Sequence, residues 1–429
     1  MCVEGMETSE GNITFVKPTT CYMRNLKVHS PFIFTIGIII MMSLLVSCNN
    51  KRKQTPPNVQ VSELANDNTT SFVTYSFEGP HSFDTLTIDN IIKSVRYIPL
   101  ETSDNCYIDR IWRIESYKGN LLINHGSNYV ITQIKMFDSE GRYIRNLFNI
   151  GRGPNELTGV LNWTSNEQAN EVVIIGMDKN LVCNLETNQI NHYTQYKSDD
   201  GNVSTSKYIL LPDGHIASLN NNRNNGETLK PYLVLFDPIF QPIKYYSDKK
   251  KRVADKKRRE HEGEIIYDLT EALTKSPYGA LYRDMINDTV FAVYGKDVLK
   301  PAFALGIPEK KRPTLDYDPD NKTKQSKLIY HEIFYPFESE DYIFDGYFYD
   351  EKCYNVIWKK GNPEPLYQSA DDRFGYRIKA DGKTYFVEMV YSCTDNKIYV
   401  PISPAEAVRK VSGIKPDDNP VIMEITLKD

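Results

Sequence analysis

A glycine-rich heptapeptide, GRGPNEL at 151–157, has the composition of a loop that binds a ligand phosphate. A P-loop needs G-x-x-x-x-G-K-[ST] between a strand and a helix, so that successive backbone N–H groups line the anion. This loop lacks the Lys-Ser/Thr pair, Pro154 removes one N–H, and no helical pattern follows. The dinucleotide-binding fingerprint fails for the same reasons. The glycines and the proline therefore indicate a crossover between two β-units, with a ligand role for Arg152 or Glu156 as the alternative.

Metal-dependent hydrolysis would require carboxylate, amide or imidazole side chains that converge on one ion. The candidates are His125, Asp178, His215 and Asp345, which share no sequence motif. For nucleophilic catalysis, G-x-S-x-G is absent, and no Ser, His and Asp follow a recognisable order. The sequence therefore predicts no metal ion, no cofactor and no catalytic residue. A metal-dependent hydrolase or lyase with its site in a central channel is the alternative to a binding protein.

The N-terminus has the residues for a different chemistry, lipid attachment. An apolar run at 32–46 follows Arg24 and Lys27 and precedes Ser47-Cys48. The run is shorter than the ~20 residues of a membrane-spanning helix and has the pattern of a secretory signal. Leu45-Val46-Ser47-Cys48 resembles the bacterial lipobox, which predicts cleavage before Cys48 and lipidation of that cysteine. The alternative is an uncleaved signal anchor.

These signals predict the organisation of the first 80 residues. Residues 1–47 form the signal region, with Met23 as the true start because the residues before it are polar. Residues 48–80 form the lipidated cysteine and a polar, proline-containing linker. Basic residues at 51–53 lie shortly after Cys48, whereas surface-exported lipoproteins of Bacteroidetes tend to carry acidic residues there. We therefore expect a location in the cell envelope, with a periplasm-facing lipid anchor in the outer or inner membrane.

The composition favours a β-rich protein. Aromatic residues make up 12% of the 429 residues, led by 29 tyrosines, and long helical periodicities are scarce. The 51 Lys and Arg residues are outnumbered by 56 Asp and Glu residues, and a net charge of −5 gives no general attraction to nucleic acid. Cysteines 106, 183, 353 and 393 show no CxxC spacing, so most are expected to be buried, and their pairing stays open.

A unit of two apolar strands around a turn with Asp, Asn or Gly recurs along the chain. Its five copies lie at 134–148, 181–196, 233–247, 290–305 and 355–368. Equivalent positions in neighbouring copies are roughly 46 to 64 residues apart, a period that suits the four-stranded blades of a β-propeller.

Shorter hairpins precede several copies and predict the inner strands of a blade. Their turns lie at 118–120, 212–214 and 395–396. Five outer hairpins and one unpartnered inner hairpin imply six blades, with 94–101 and 420–427 completing one sheet and closing the ring. The predicted fold class is thus all-β, a six-bladed β-propeller of four-stranded antiparallel blades over 81–429. Two stacked β-sandwiches are the alternative.

A resemblance to a known family rests on three segments. The stretch YIPLETSDNCYIDRIWRI (97–114) and the stretch that ends in GRGPNEL resemble the opening of the six-bladed β-propeller lipoproteins of Bacteroidetes, of the NHL/TolB-like kind. In that family a PLET segment precedes the first blade and a GxGPxE loop follows its last strand. INDTVFAVYGKDVLKPAFALG (286–306) resembles its mid-chain segment, and the resemblance covers roughly 85–429. The stretch at 376–392 lacks the turn often found before the final blade, so we expect blade five or six to be irregular.

The sequence therefore predicts an exported, lipid-anchored propeller that acts as a binding or interaction module. The expected partners are the membrane, through the anchor, and a glycan, a peptide or an envelope protein. Propeller function resides in loops and channel residues, and Arg and aromatic side chains dominate binding hot spots. The candidate ligand-binding residues are Arg152, Trp163, Tyr129 and Trp112, with a core role as the alternative for Trp112. A structural subunit of an envelope complex is a further alternative.

Overall fold

Apolar residues alternate with polar ones between turn residues through most of the chain, and this pattern folds into β-strands. The computed structural model describes residues 60–63, 72–77, 82–83, 87–126, 133–194, 207–219, 233–247, 272–283, 288–296, 298–311, 329–331, 336–350, 352–380, 382–387 and 396–429. These residues belong to one compact unit, 57–429. The predicted signal region and Cys48 lie outside them. Within the described ranges, no helix has the length and apolar character needed to cross a membrane.

Four strands precede the first blade. They are β1 (Gln60–Glu63), β2 (Thr74–Ser76), β3 (Ser82–Phe83) and β4 (Ile92–Pro99). A 3-10 turn at Asp89–Ile91 leads into β4.

Blades 1 and 2 are four-stranded antiparallel sheets whose strands follow each other in sequence from the channel outwards. Blade 1 comprises β5 (Arg110–Tyr117), β6 (Asn120–Gly126), β7 (Gln133–Phe137) and β8 (Tyr143–Asn146). The connection to blade 2 holds β9 (Asn149–Ile150) and β10 (Glu156–Leu157). Blade 2 comprises β11 (Val160–Asn166), β12 (Glu171–Gly176), β13 (Lys179–Asn184) and β14 (Ile190–Thr194). Lys118 and Gly119 have φ values of 48° and 79°, as a two-residue type I′ hairpin requires, which confirms the predicted inner turn.

Blades 3 to 5 repeat this order. Blade 3 comprises β15 (Tyr208–Leu210), β16 (Ile216–Leu219), β17 (Leu233–Phe236) and β18 (Pro242–Ser247). Blade 4 comprises β19 (Ala272–Ser276), β20 (Gly279–Arg283), β21 (Thr289–Gly295) and β22 (Val298–Gly306), followed by a 3-10 turn at Glu309–Lys311. Blade 5 comprises β23 (Tyr330–His331) and β24 (Phe337–Glu338), which both pair with β25 (Tyr342–Tyr349), then β26 (Lys352–Lys359) and β27 (Tyr367–Asp371). The five predicted outer hairpins are confirmed as the last two strands of blades 1 to 5.

Blade 6 is irregular, as the sequence predicts, and joins the two chain ends. Its strands are β28 (Tyr376–Ala380) and β29 (Lys383–Val387), which pair with each other, then β30 (Lys397–Ile402) and β31 (Val421–Leu427), with the short helix α1 (Pro404–Ala407) between them. Strand β31 pairs antiparallel with β4, from Val421 opposite Pro99 to Leu427 opposite Ile92. This pairing confirms the predicted closure of the ring. The fold is a six-bladed propeller, and the alternative of two stacked sandwiches is wrong.

Six hydrophobic clusters lie between neighbouring blades, one at each interface of the ring. The cluster between blades 1 and 2 contains Trp163 and Cys183, and the cluster between blades 6 and 1 contains Cys106. Burial raises the pKa of the Cys183 thiol to about 12. These two cysteines are thus small core residues, as predicted, whereas Cys393 lies outside the described residues.

The strands β1, β2 and β3 form a segment that we call the N-terminal strap. Each adds in parallel to the outermost strand of a successive blade, β1 to β18, β2 to β22 and β3 to β27. Residues 48–80 are predicted to be a linker, yet β1 and β2 lie within this range and are paired with blades 3 and 4. The strap therefore covers the outer edges of blades 3 to 5 before the chain enters blade 6 through β4.

Two aromatic side chains of the strap belong to the core between blades 4 and 5. Tyr75 is 2% exposed and Phe77 is 5% exposed, and both contact the buried Trp358 with ring centroids 5.6 Å and 5.3 Å away. Trp358 Nε1 donates to the Ser76 carbonyl over 3.0 Å, and the Gly361 N–H donates to the Tyr75 hydroxyl over 3.1 Å. Burial and these hydrogen bonds hold β2 against both blades.

We predict that Tyr75→Ala lowers the free energy of unfolding by about 3–5 kcal/mol, because it removes a buried aromatic ring from an interblade core. Thr74→Ala is the matched control, because the neighbouring Thr74 side chain is exposed on the same strand, and it should change stability by less than about 0.5 kcal/mol. Denaturant-induced unfolding of the two variants measures the difference. Equal, small effects would show that the strap is not part of the cooperative fold.

Candidate functional site

The two ends of the propeller carry different connections. At one end the inner strands begin and the chain passes from blade to blade, as marked in blade 1 by the Arg110–Gly126 pair and in blade 2 by the Val160–Gly176 pair. We call this end the crossover face. At the opposite end, the turn face, inner hairpins such as Lys118-Gly119 close. Arg152 and Trp112 belong to the crossover face, because they lie in a blade connection and near the start of β5.

The loop at 151–157 is filled by its own glutamate. Glu156 Oε2 accepts a hydrogen bond from the Gly153 N–H over 2.8 Å, and a Cβ atom on Gly151 would lie only 2.0 Å from the same oxygen. The Gly151 N–H donates to the Leu157 carbonyl over 3.0 Å, and Lys179 Nζ donates to the Gly153 carbonyl. The glycines thus make room for a carboxylate of the chain itself. The loop is the predicted crossover between blades 1 and 2, and Glu156 has a structural role in it.

Arg152 projects from this loop and is exposed. It makes no hydrogen bond, ion pair or ring contact with the residues that the structure describes.

Trp112 lies at a β-bulge near the start of β5. The register with β6 shifts between Ile111 and Arg113, so Trp112 is the extra residue of the bulge. Its indole Nε1 donates to the Gly126 carbonyl over 3.2 Å, and the Arg110 guanidinium lies 4.4 Å from the ring centroid. A half-buried tryptophan stacked with an exposed arginine is a surface that suits stacking and hydrogen bonding to a ligand.

Trp163 does not lie on the crossover face. It is 1% exposed and packs in the core between blades 1 and 2. The fourth candidate, Tyr129, lies outside the described residues. The structure therefore brings Arg152 and Trp112 to one face, whereas Trp163 has no contact with solvent.

The four candidate metal ligands lie on different blades. His125 belongs to blade 1, Asp178 to blade 2, His215 to blade 3 and Asp345 to blade 5. Burial, and then the charge of Lys135, lower the pKa of His125 to about 4, so this imidazole is neutral at physiological pH. In the described part of the chain, no three His, Cys, Asp or Glu side chains lie close enough to hold a metal ion.

A charged cluster that sequence reasoning missed lies in the channel. Glu115 of β5 is fully buried, and its Oε1 pairs with Arg113 Nη2. Its Oε2 accepts hydrogen bonds from the Ser165 N–H over 3.1 Å, from the Ser165 hydroxyl, and from Lys275 Nζ over 2.6 Å. Lys275 Nζ lies 3.1 Å from Ser165 Oγ. The members come from the inner strands β5, β11 and β19, so this channel cluster joins blades 1, 2 and 4.

The channel cluster keeps a fully buried carboxylate ionised. Burial alone would raise the pKa of Glu115, but Arg113, Lys275 and the hydroxyl of Ser165 offset that effect, and the net shift is downward. Arg113 is held in turn by Trp163, whose carbonyl accepts from Nη1 over 2.8 Å and whose ring centroid lies 5.0 Å from the guanidinium carbon. Trp163 therefore contributes to the channel indirectly, as the support of Arg113.

One local signal for this cluster exists in the sequence. Arg113 and Glu115 flank Ile114 on a predicted inner strand, and charges in that position indicate a polar channel wall. The partner Lys275 lies 160 residues from Glu115, and no local pattern joins the two.

The fold and the channel cluster define the class of the protein, a six-bladed β-propeller with charged groups paired across its channel. The model of the family described as domain of unknown function DUF4934 matches residues 77–426. Because the match spans most of the 429 residues, the protein belongs to that family. No curated protein matches the chain.

Two solved structures of Bacteroides proteins are similar to this chain. One, a B. fragilis protein designated as exported, is 16% identical, with 84% of this chain and 100% of that chain covered and a TM-score of 0.57. A member of the duf4221 family from B. vulgatus is 11% identical, with 79% of this chain and 97% of that chain covered and a TM-score of 0.42. At 16% identity the first likeness shows the fold alone. It confirms the propeller part of the predicted resemblance, and lipid attachment stays a prediction.

We predict that Glu115→Gln lowers the free energy of unfolding by about 3 kcal/mol near neutral pH, because it breaks a buried ion pair. The folded-state pKa of Glu115 lies below its ordinary value of 4.5, so the ionised group stabilises the fold above pH 4.5. That contribution is lost as the pH falls through the folded-state pKa, and the gap between wild type and Glu115→Gln should narrow there.

Denaturant titrations over a pH series measure this gap. Glu186→Gln is the control, because its partner Lys118 and Glu186 are both about half exposed, with side-chain exposures of 46% and 53%. This variant should change stability by less than about 1 kcal/mol. A gap for Glu115→Gln that does not change with pH would contradict the assignment of a buried, ionised carboxylate.

Proposed function

We propose that the protein is an exported, lipid-anchored binding module that takes a glycan, a peptide or an envelope protein at its crossover face. The observation that carries this proposal is the position of Arg152 and of the Arg110–Trp112 stack at the end of the propeller where the inner strands begin. An export designation of the B. fragilis protein with the same fold supports the predicted location. The lipobox-like segment that ends at Cys48 supports the anchor.

The side chains of the crossover face are better suited to binding a ligand than to packing in the core. Arg152 is exposed and has N–H donors to offer, and Trp112 supplies an amphipathic ring with a guanidinium against it. Neither side chain belongs to one of the six interblade cores. Arginine and tryptophan are enriched among residues that dominate binding energy. Tyr129 stays a candidate contact, and the burial of Trp163 excludes it from direct contact at the rim.

We predict that Arg152→Ala and Trp112→Ala weaken binding of a ligand that a glycan and peptide panel identifies, each by about 10-fold or more, as expected for hot-spot side chains. Arg142→Ala is the matched control, because this exposed arginine lies on the turn face, in the β7–β8 hairpin. Its affinity should equal that of the wild type. Calorimetric titration of the three variants measures the effects. Equal losses in Arg142→Ala, or no loss in either crossover-face variant, would contradict the proposal.

We predict that Cys48→Ala moves the protein from the membrane fraction to the soluble fraction and abolishes labelling with a fatty-acid probe, because the acylated cysteine is the anchor. Gln54→Ala is the control, since this residue belongs to the predicted linker after Cys48 and has no group that can be acylated, and its fractionation should not change. Cell fractionation with metabolic lipid labelling provides the measurement. Membrane retention of Cys48→Ala would favour the alternative of an uncleaved signal anchor.

A further inference from the structure

The channel cluster spans the ring. In a ring of six blades, blades 1 and 4 face each other across the centre, and Lys275 of blade 4 hydrogen-bonds to Glu115 of blade 1 over 2.6 Å. The same ammonium group contacts Ser165 of blade 2. The side chains therefore cross the channel at this level. A ligand that enters from the crossover face meets the channel cluster as a floor.

Arg113 lies on the side of the channel cluster that is nearer to the crossover face. Strand β5 begins at Arg110 on the crossover face, so Arg113 precedes Glu115 along the way into the channel. The side chains of Arg113 and Lys275 are 24% and 13% exposed, whereas Glu115 has no exposure. Solvent thus reaches both cations from the channel but does not reach the carboxylate.

The contacts within the cluster leave N–H donors of both cations unused. Arg113 has five N–H groups, and its contacts with described residues engage Nη1, with the Trp163 carbonyl, and Nη2, with Glu115. Lys275 has three N–H groups and uses two, on Glu115 and Ser165. Glu115 forms an ion pair with Arg113 through Oε1 and accepts its hydrogen bonds at Oε2. In addition, Trp163 Nε1 is buried without a hydrogen-bond partner among the described residues.

The net charge of the channel cluster indicates which ligand charge it can bind. Arg113 and Lys275 carry two positive charges against one negative charge on Glu115, so their ion pairs with described residues leave one positive charge unbalanced in a partly desolvated place. A monoanion balances it, whereas a phosphate dianion would leave a negative excess where burial penalises charge. The planar fork of arginine also matches the two oxygens of a carboxylate.

We propose that the crossover side of the channel cluster binds the carboxylate group of a small ligand, held by Arg113 with Lys275 beside it. This assignment rests on the proposed binding function and names the chemistry that the channel recognises. The carboxylate has two sources, an acidic sugar or an amino acid, and both present the same group to Arg113.

Titration calorimetry of the full mature chain with defined probes tests the site. The probes are D-glucuronate, N-acetylalanine, the neutral amides of both acids, and inorganic phosphate. We expect wild-type protein to bind at least one of the two acids, and the acid that binds identifies the source of the carboxylate. Its neutral amide and phosphate should bind at least about 10-fold more weakly. Binding of neither acid at millimolar concentration, or equal binding of an acid and its amide, would overturn the proposal.

Arg113→Lys tests the residue while keeping its charge beside Glu115. The variant should weaken binding of the acid by about 10-fold, because lysine cannot form the bidentate contact. Arg142→Lys on the turn face is the control and should bind as the wild type does. If Arg113→Lys fails to fold, the affinities of wild-type protein for the acid, its amide and phosphate still test whether the site selects a carboxylate. Crossover-face binding that requires Arg152 but is unchanged in a folded Arg113→Lys variant would overturn the carboxylate site and leave the proposed function intact.

Discussion

The antiparallel ladder between β4 and β31 is the constraint on which the rest of the structure depends. A ring of blades that is not closed would expose two unpaired strand edges to other chains. Here the first strand of the ring pairs with the last over the whole length of β31, with Pro99 opposite Val421. Because these partners are more than 300 residues apart, the ladder is a long-range contact that joins the two ends of the ring.

Closure also determines where the inner strands lie. Each interblade core packs one sheet against the next, and six such cores fix the angle between successive blades. The ring radius that results allows Lys275 to reach Glu115 from the other side of the channel. A buried carboxylate costs several kcal/mol of desolvation, which only well-placed partners offset. The channel cluster is therefore stable only in the closed ring, where blades 1, 2 and 4 bring its members together.

Local sequence information was sufficient for the blades, because a hairpin depends on its own turn residues. Lys118-Gly119 and Asp213-Gly214 marked inner hairpins that the structure contains, and Gly214 has the expected positive φ of 83°. The strap was missed although Val73, Tyr75 and Phe77 alternate with Thr74 and Ser76, the period of a half-buried strand. The polar and proline-containing residues before them favoured a linker, and the missing information was a blade edge that only the folded ring provides.

Residue type alone was a weaker guide to the candidate site, because it does not show which face of a strand a side chain occupies. Trp163 has the character of a hot-spot residue, yet its ring lies in the core between blades 1 and 2. The channel cluster was missed for a different reason, since its residue types are ordinary and no local pattern joins Glu115 to Lys275. Arg152 is exposed on the glycine- and proline-rich crossover, where a long side chain has few neighbours, and its role as a ligand contact stays a prediction.

The two levels of the proposed site differ in how firmly their residues are held. Arg113 is fixed by the Trp163 carbonyl, by the Trp163 ring and by Glu115, so its orientation is set when the protein folds. A ligand bound there need not immobilise the guanidinium, which reduces the entropic cost of binding. Arg152 has no such support among the described residues, and a ligand must order it. The rigid channel cluster thus suits recognition of one chemical group, the carboxylate, that all ligands share. Exposed residues on the crossover loops suit recognition of the part that differs from one ligand to another.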